Sequence, residues 1–171
     1  MVVWLIGLSG SGKTTLGMKL KKYCDEHNIN SFVIDGDWVR DFYEGDLGYS
    51  REDRVSNVKR IILAGHVLSA NGVVAIVCNI SPFEELRSFC RRKVSDYNQI
   101  YLKRSIHDCR KNDIKNVYRD HQGKTDLVGV DVQFDEPEGS DLVINVEEEN
   151  EDRSFERLLG FLKKKYPDKF N

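Results

Sequence analysis

Residues 7 to 15 read GLSGSGKTT and follow the apolar run Val2-Val3-Trp4-Leu5-Ile6. Gly7-x-x-x-x-Gly12-Lys13-Thr14 satisfies the spacing G-x-x-x-x-G-K-[ST] in full. A short apolar run that ends at a glycine reads as a buried strand. From Lys13 to about Glu26, Leu16, Leu20 and Tyr23 recur at helical spacing. Strand, glycine loop and helix together are the context in which this spacing cradles phosphates. The glycines let backbone N–H groups turn inward, the helix N-terminus adds partial positive charge, and the lysine reaches the β- and γ-phosphates. A glycine turn that merely starts a helix is the plainer reading, and the flanking strand and helix weigh against it. The expected contacts to a nucleoside triphosphate are Gly7, Ser9, Gly10, Ser11, Gly12, Lys13, Thr14 and Thr15. The Thr14 hydroxyl is placed to ligate Mg²⁺.

Strand-like and helix-like stretches alternate along the rest of the chain. Phe32-Val33-Ile34 is a second strand, closed by Asp35-Gly36-Asp37. Ser50-Arg51-Glu52-Asp53 has capping-box form and opens a helix through Val55, Val58, Ile61, Ile62 and Val67 that stops at Asn71-Gly72. Val73 to Cys78 is the most apolar stretch, as a central parallel strand should be. A helix from Pro82, a strand around Ile100 to Leu102, a last strand at Leu142-Val143-Ile144 and a last helix from Arg153 to Lys165 complete the pattern. The stretch from about 108 to 135 is polar and broken. Such alternation implies an α/β fold, a parallel sheet covered on both faces, with ligands at the carboxyl ends of its strands.

At 171 residues, with no repeat or Pro/Gly-rich linker, the chain is expected to be one domain. Its net charge of -2 carries no basic excess, so no nucleic-acid partner is expected. No apolar run is long enough to span a bilayer and no signal peptide is seen, so a cytoplasmic protein without membrane contact is expected. Four scattered cysteines without C-x-x-C spacing read as reduced thiols, and the four histidines show no metal-ligand spacing. Gly123-Lys124-Thr125-Asp126 is a degraded guanine-reading motif that follows no strand, and it is set aside as coincidence.

The carboxyl ends of the second and third strands should face the phosphate loop. "DGDWVR" stands at the first of them, Asp35 to Arg40. Two carboxylates beside a γ-phosphate can hold Mg²⁺ or take a proton from an attacking hydroxyl. Arg40, one helical turn beyond Asp37, could clamp an anion. The plainer reading is a turn with an N-cap aspartate. In "GYSREDRVSNVKR", Arg54 and Asn57 are three apart and share a helix face, whereas Lys59 and Arg60 suit a solvated side. In "CNISPFEE", Ser81 as N-cap, Pro82 at N1 and Glu84 at N3 are expected to form a capping box.

"GLSGSGKTT", "DGDWVR", "GYSREDR..NVKR", "NISPF", "IYLKRSIHDCRKNDIKNVY" and "GVD..F..P" together resemble the adenylylsulfate kinases, in that order and over nearly the whole chain. The resemblance implies a P-loop kinase three-layer sandwich, with a five-stranded parallel sheet, helices on both faces and a mobile lid at about 108–135. It implies transfer of a phosphoryl group from MgATP to the ribose 3′-hydroxyl of adenosine 5′-phosphosulfate. Lys13, Asp35, Asp37 and Ser81 would be the catalytic positions, Ser81 matching a serine that the family treats as a phosphorylated intermediate. Thr14, Asp35 and Asp37 would serve the metal. Asp37, Arg40, Arg54, Asn57, Ile80 and Ser81 would hold the acceptor, with its base on Tyr49, and Lys115 would belong to the lid. A homodimer is a candidate assembly.

Leu127 and Val128 stand where the family has a phenylalanine and a threonine, so one of two aromatic faces that sandwich the base is missing. That departure raises a second acceptor, cytidine diphosphoramidate, used by a short relative in capsular polysaccharide modification. A third reading is a nucleotide-binding module without catalysis. Against it, Lys13, Asp37 and Arg54 are all retained.

Overall fold

The computed structural model describes residues 1–113, 116–121 and 126–171. Its elements are β1 (Val2–Ile6), α1 (Lys13–Glu26), β2 (Ser31–Asp35), α2 (Gly36–Phe42), α3 (Arg51–Ala70) and β3 (Val74–Cys78). They continue with α4 (Glu84–Lys93), β4 (Tyr97–Lys103), α5 (Ile106–Lys111), β5 (Leu142–Asn145), α6 (Glu151–Lys165) and α7 (Pro167–Phe170). A 3-10 turn at Arg119–His121 lies between α5 and β5. The five strands pair in the order β2-β3-β1-β4-β5, every ladder parallel.

β1 is central and buried throughout because it is covered on both faces, which is why its sequence is a continuous apolar run. Val2, Trp4 and Ile6 pack with Ile61, Ile62 and Leu86 of α3 and α4, while Val3 and Leu5 pack with Leu16, Leu20, Leu158 and Leu162 of α1 and α6. The result is a three-layer α/β sandwich. From β1 the chain crosses to the β2 edge and returns through β3, then passes to β4 on the other side of β1. The connection after β1 runs toward the β2 edge and the one after β3 runs back past β1 to β4, so a crevice opens at the carboxyl ends of β1 and β3, where the glycine loop sits.

Local signals fare differently at the helix starts. Ser50 caps α3 as expected, its hydroxyl accepting from Asp53 N at 3.1 Å. Ser81 does not cap α4. That helix begins at Glu84 after a Phe83 N-cap without a side-chain bond, and the Glu84 amide is capped by Asp135 Oδ2 at 3.0 Å. The expected capping box therefore fails, and α4 takes its cap from a distant loop. All four cysteines are free and buried. Among the described residues no helix is long and apolar enough to cross a membrane. Gln122 to Thr125, which hold most of the degraded guanine motif, and Lys115 of the expected lid lie outside the described residues.

Candidate active site

A cleft of about 690 Å³ opens at the carboxyl edge of the sheet. Ser9, Gly10, Gly12, Lys13, Thr14 and Thr15 line one side, and Asp35, Asp37, Arg40, Tyr49, Arg54, Asn57, Ile80 and Leu127 line the rest. The sequence-predicted positions thus converge from β1, β2, α2, α3, β3 and the loop before β5. Gly7, Ser11 and Ser81 stand behind this wall rather than on it.

The loop is shaped from behind. Gly7 adopts φ +147°, and a Cβ there would lie 2.6 Å from the Leu102 carbonyl oxygen of β4. Only glycine lets the loop leave β1 so close to the next strand. The Lys13 ammonium folds over the loop, donating to the carbonyls of Gly7 at 2.9 Å and Leu8 at 2.7 Å. The first residues of α1, whose amides have no acceptor within the helix, line the cleft, an arrangement suited to anionic oxygens.

Asp35 combines the two readings of "DGDWVR". Its Oδ1 accepts from Asp37 N at 2.9 Å and caps α2, while its Oδ2 accepts from the Thr14 hydroxyl at 2.9 Å. Neighbouring oxygens on an octahedral Mg²⁺, each about 2.0–2.1 Å from the metal, lie about 3 Å apart. The Thr14–Asp35 pair has that separation, so these hard oxygen donors fit the ion. No group of three or more His, Cys, Asp or Glu side chains gathers around a metal site among the described residues. Mg²⁺ uses one or two carboxylates with substrate phosphates rather than a full protein cage.

Across the cleft, Arg40 and Arg54 converge on the exposed ring of Tyr49, their guanidinium carbons 4.7 Å and 5.3 Å from its centroid. Arg40 donates to the carbonyls of Leu47 at 3.2 Å and Gly48 at 2.7 Å; Arg54 donates to Tyr49 O at 2.9 Å and to Asp126 O. Burial, and after it the neighbouring Arg40 charge, pull the Arg54 pKa below its usual value. Two like charges held this close favour an anion between them. Asn57 is buried, its Nδ2 donating to Gly36 O at 3.4 Å, and its Oδ1 has no partner among the described residues. A buried carbonyl left this way is open to a donor from water or from a ligand in the cleft. Lys59 and Arg60 lie outside the cleft lining, Arg60 pairing with Asp46 at 2.6 Å.

Ser81 faces the other way. It is 2 % exposed, its hydroxyl accepts from Trp4 Nε1 at 2.9 Å and donates to Asn79 Oδ1 at 2.9 Å, and its backbone holds φ +48°. Asn79 Oδ1 also accepts from Ser81 N at 2.9 Å, and Arg87 donates to Ser81 O at 2.8 Å. These bonds offset a left-handed conformation that costs a non-glycine residue about 1–3 kcal/mol.

Several site residues escaped the sequence reading. Arg104, at the end of β4, donates to Gly10 O at 2.9 Å and Val146 O at 3.2 Å and lines the cleft. A basic residue at the carboxyl end of a strand was the signal that could have found it. Tyr118 OH donates to Ser9 O at 3.0 Å, and His121 joins Asp131 at 2.6 Å. Those contacts have no local signature in a polar, broken stretch.

Comparison with known proteins agrees with this geometry. A family profile described as adenylylsulphate kinase matches residues 1–145. The adenylyl-sulfate kinase of Staphylococcus carnosus is 31% identical over 166 residues, covering 95% of this chain and 83% of that one. A probable adenylyl-sulfate kinase of Bacillus subtilis is 33% identical over 168 residues, covering 96% and 85%. The APS kinase of Mycobacterium tuberculosis, solved in complex with AMPPNP and APS, superposes with a TM-score of 0.89 at 28% identity, covering 95% of this chain and 96% of that one. The chain belongs to the adenylylsulphate kinase family.

Proposed function

We propose that this protein transfers the γ-phosphoryl group of ATP to the ribose 3′-hydroxyl of adenylyl sulfate. The observation that carries the reading is the convergence of Arg40 and Arg54 on Tyr49 across the cleft from Lys13 and Asp35. A phosphate cradle on one wall and an anion clamp beside an aromatic ring on the other suit a donor triphosphate and an acceptor nucleotide that carries its own anhydride. The bound ligands of the Mycobacterium tuberculosis enzyme support the same pairing.

The glycine-loop amides and Lys13 hold the transferring phosphoryl group and follow its charge toward the leaving side. Thr14 and Asp35 would hold Mg²⁺, which when bound neutralises charge on the β- and γ-phosphates. Asp37, on the first turn of α2, is the carboxylate that takes the proton from the 3′-hydroxyl. Arg40 and Arg54 grip the phosphosulfate, Asn57 Oδ1 accepts from an acceptor hydroxyl or amine, and Tyr49, Ile80 and Leu127 enclose the base. Transfer is direct and in line, because such a transition state needs positioning and charge neutralisation rather than a covalent relay. Ser81 then serves as a support for the β3–α4 turn.

The test measures ADP release against adenylyl sulfate and a panel of cytidine and uridine diphospho-compounds, including the diphosphoramidate. Release that depends on adenylyl sulfate, with the highest kcat/KM of the panel, is expected. A higher kcat/KM for a cytidine compound would replace the acceptor. No release with any member would leave a binding module.

A further inference from the structure

The wall opposite Tyr49 is a tight turn held from two sides. Leu127 O accepts from the amides of Val130, Asp131 and Val132 at 3.1, 2.9 and 3.1 Å, so the turn is rigid in itself. Its Gly129 has φ +87°, and a Cβ there would lie 2.9 Å from Leu8 of the glycine loop, so the turn is seated close against that loop. One handle is Arg54, which donates to Asp126 O. The other is His121. Its Nε2 lies 2.6 Å from Asp131 Oδ2, and that same oxygen accepts from Leu127 N at 3.0 Å. The Nδ1 of the ring is 3.7 Å from Asp126 Oδ1, outside hydrogen-bond range but close to a second carboxylate.

His121 is tied in turn to the donor side. It ends the 3-10 turn, and the Asp113 carboxylate gathers the first amide of that turn, Arg119, at 3.0 Å with those of Val117 and Tyr118 just before it at 2.7 and 2.8 Å. Tyr118 reaches the glycine loop through Ser9 O.

We propose that His121 is a positioning residue for the acceptor: through Asp131 it holds the Leu127 wall at the depth the base requires. This rests on the proposed acceptor site. Neither His121 nor Asp131 is placed on the reacting atoms, so the phosphoryl step itself does not need them. Losing the histidine loosens a wall of the acceptor pocket, whereas the ATP cradle keeps the supports that do not pass through His121: Leu102 O against Gly7, the Lys13 bonds, Arg104 on Gly10 O and Tyr118 on Ser9 O. Such a loss shows in acceptor KM and not in kcat.

The experiment compares native protein, His121→Ala and His121→Gln in two measurements. In steady-state ADP release, His121→Ala is expected to raise KM for adenylyl sulfate about tenfold, with kcat and the KM for ATP within about twofold of native. His121→Gln, whose side-chain amide can donate to the same carboxylate, recovers most of the loss. A fall in kcat of the same size, or a KM for ATP that rises in step, overturns the proposal. The second measurement is hydrogen exchange at the Leu127 amide without any acceptor. It is expected to quicken in His121→Ala and to slow again in His121→Gln. A Leu127 amide as protected in His121→Ala as in the native protein overturns the proposal whatever the acceptor is. If the native protein does not use adenylyl sulfate but Leu127 exchange quickens in His121→Ala, the latch stands and the acceptor assignment falls.

Discussion

The indole nitrogen of Trp4 donates to the Ser81 hydroxyl at 2.9 Å, and this bond turns Ser81 into the core beneath the cleft. Trp4 is 1 % exposed, so the N–H has no water to fall back on. Ser81→Ala therefore leaves a buried donor unpaired and should cost about 1–3 kcal/mol in denaturant unfolding. Most of kcat should survive. Isolation of a phosphoserine at this position that forms and decays at the rate of turnover would refute the structural role and establish a covalent step.

Lys13→Ala should fold like the native protein, because its ammonium donates to carbonyls of its own loop, those of Gly7 and Leu8. Turnover should fall at least about a hundredfold, the scale of several kcal/mol of charge stabilisation. A folded variant with near-native kcat would end the kinase assignment for this cleft.

The α4 cap offers a test that leaves the cleft alone. Asp135→Ala removes the carboxylate that accepts from Glu84 N, and the loss of such a cap costs about 1 kcal/mol. Thermal unfolding should shift accordingly while kcat and both KM values stay near native. Unchanged stability would mean that water replaces the carboxylate at no cost.

Leu127 bears on the base. It is 7 % exposed and meets the cleft as an aliphatic wall. Leu127→Phe adds an aromatic face and should lower KM for adenylyl sulfate by up to about tenfold, roughly 1.4 kcal/mol of stacking. Tyr49→Ala should raise it. The informative quantity is the kcat/KM ratio of adenylyl sulfate to a cytidine diphospho-compound in native protein and in Leu127→Phe. If the native ratio favours cytidine and the substitution moves it toward adenine, position 127 reads the base and the acceptor is not adenylyl sulfate.

Much of the molecule is legible without coordinates. The GLSGSGKTT spacing after an apolar run announces both the phosphate cradle and the strand before it. Val2–Ile6 and Val74–Cys78 are the buried strands their composition promises, and α1 spans Lys13 to Glu26 as its periodicity requires. Ser50 caps α3, and Arg54 and Asn57 share the face that meets the cleft. All of these rest on interactions within a few residues, or on a residue type that only one backbone shape tolerates.

What the tertiary structure alone decides lies in contacts between distant parts of the chain. "SPFE" carries the local chemistry of a cap, yet Ser81 is claimed by Trp4, 77 residues away, and α4 is capped by Asp135, 51 residues from Glu84. The Ser81 hydroxyl gives its proton to Asn79 and accepts from Trp4, and no α4 amide bonds to it. Here the buried indole N–H, which would be costly to leave unpaired, wins. The stretch from 108 to 135 shows no periodicity because its described turns are built from side-chain bonds to backbone amides, Asp113 to Tyr118 and Asp131 to Leu127, rather than from a repeating apolar face. Residue order determined the sheet, the phosphate loop and the acidic and basic residues around it. Only folding decided which of them face the substrates, because orientation depends on the partner a side chain meets across the core.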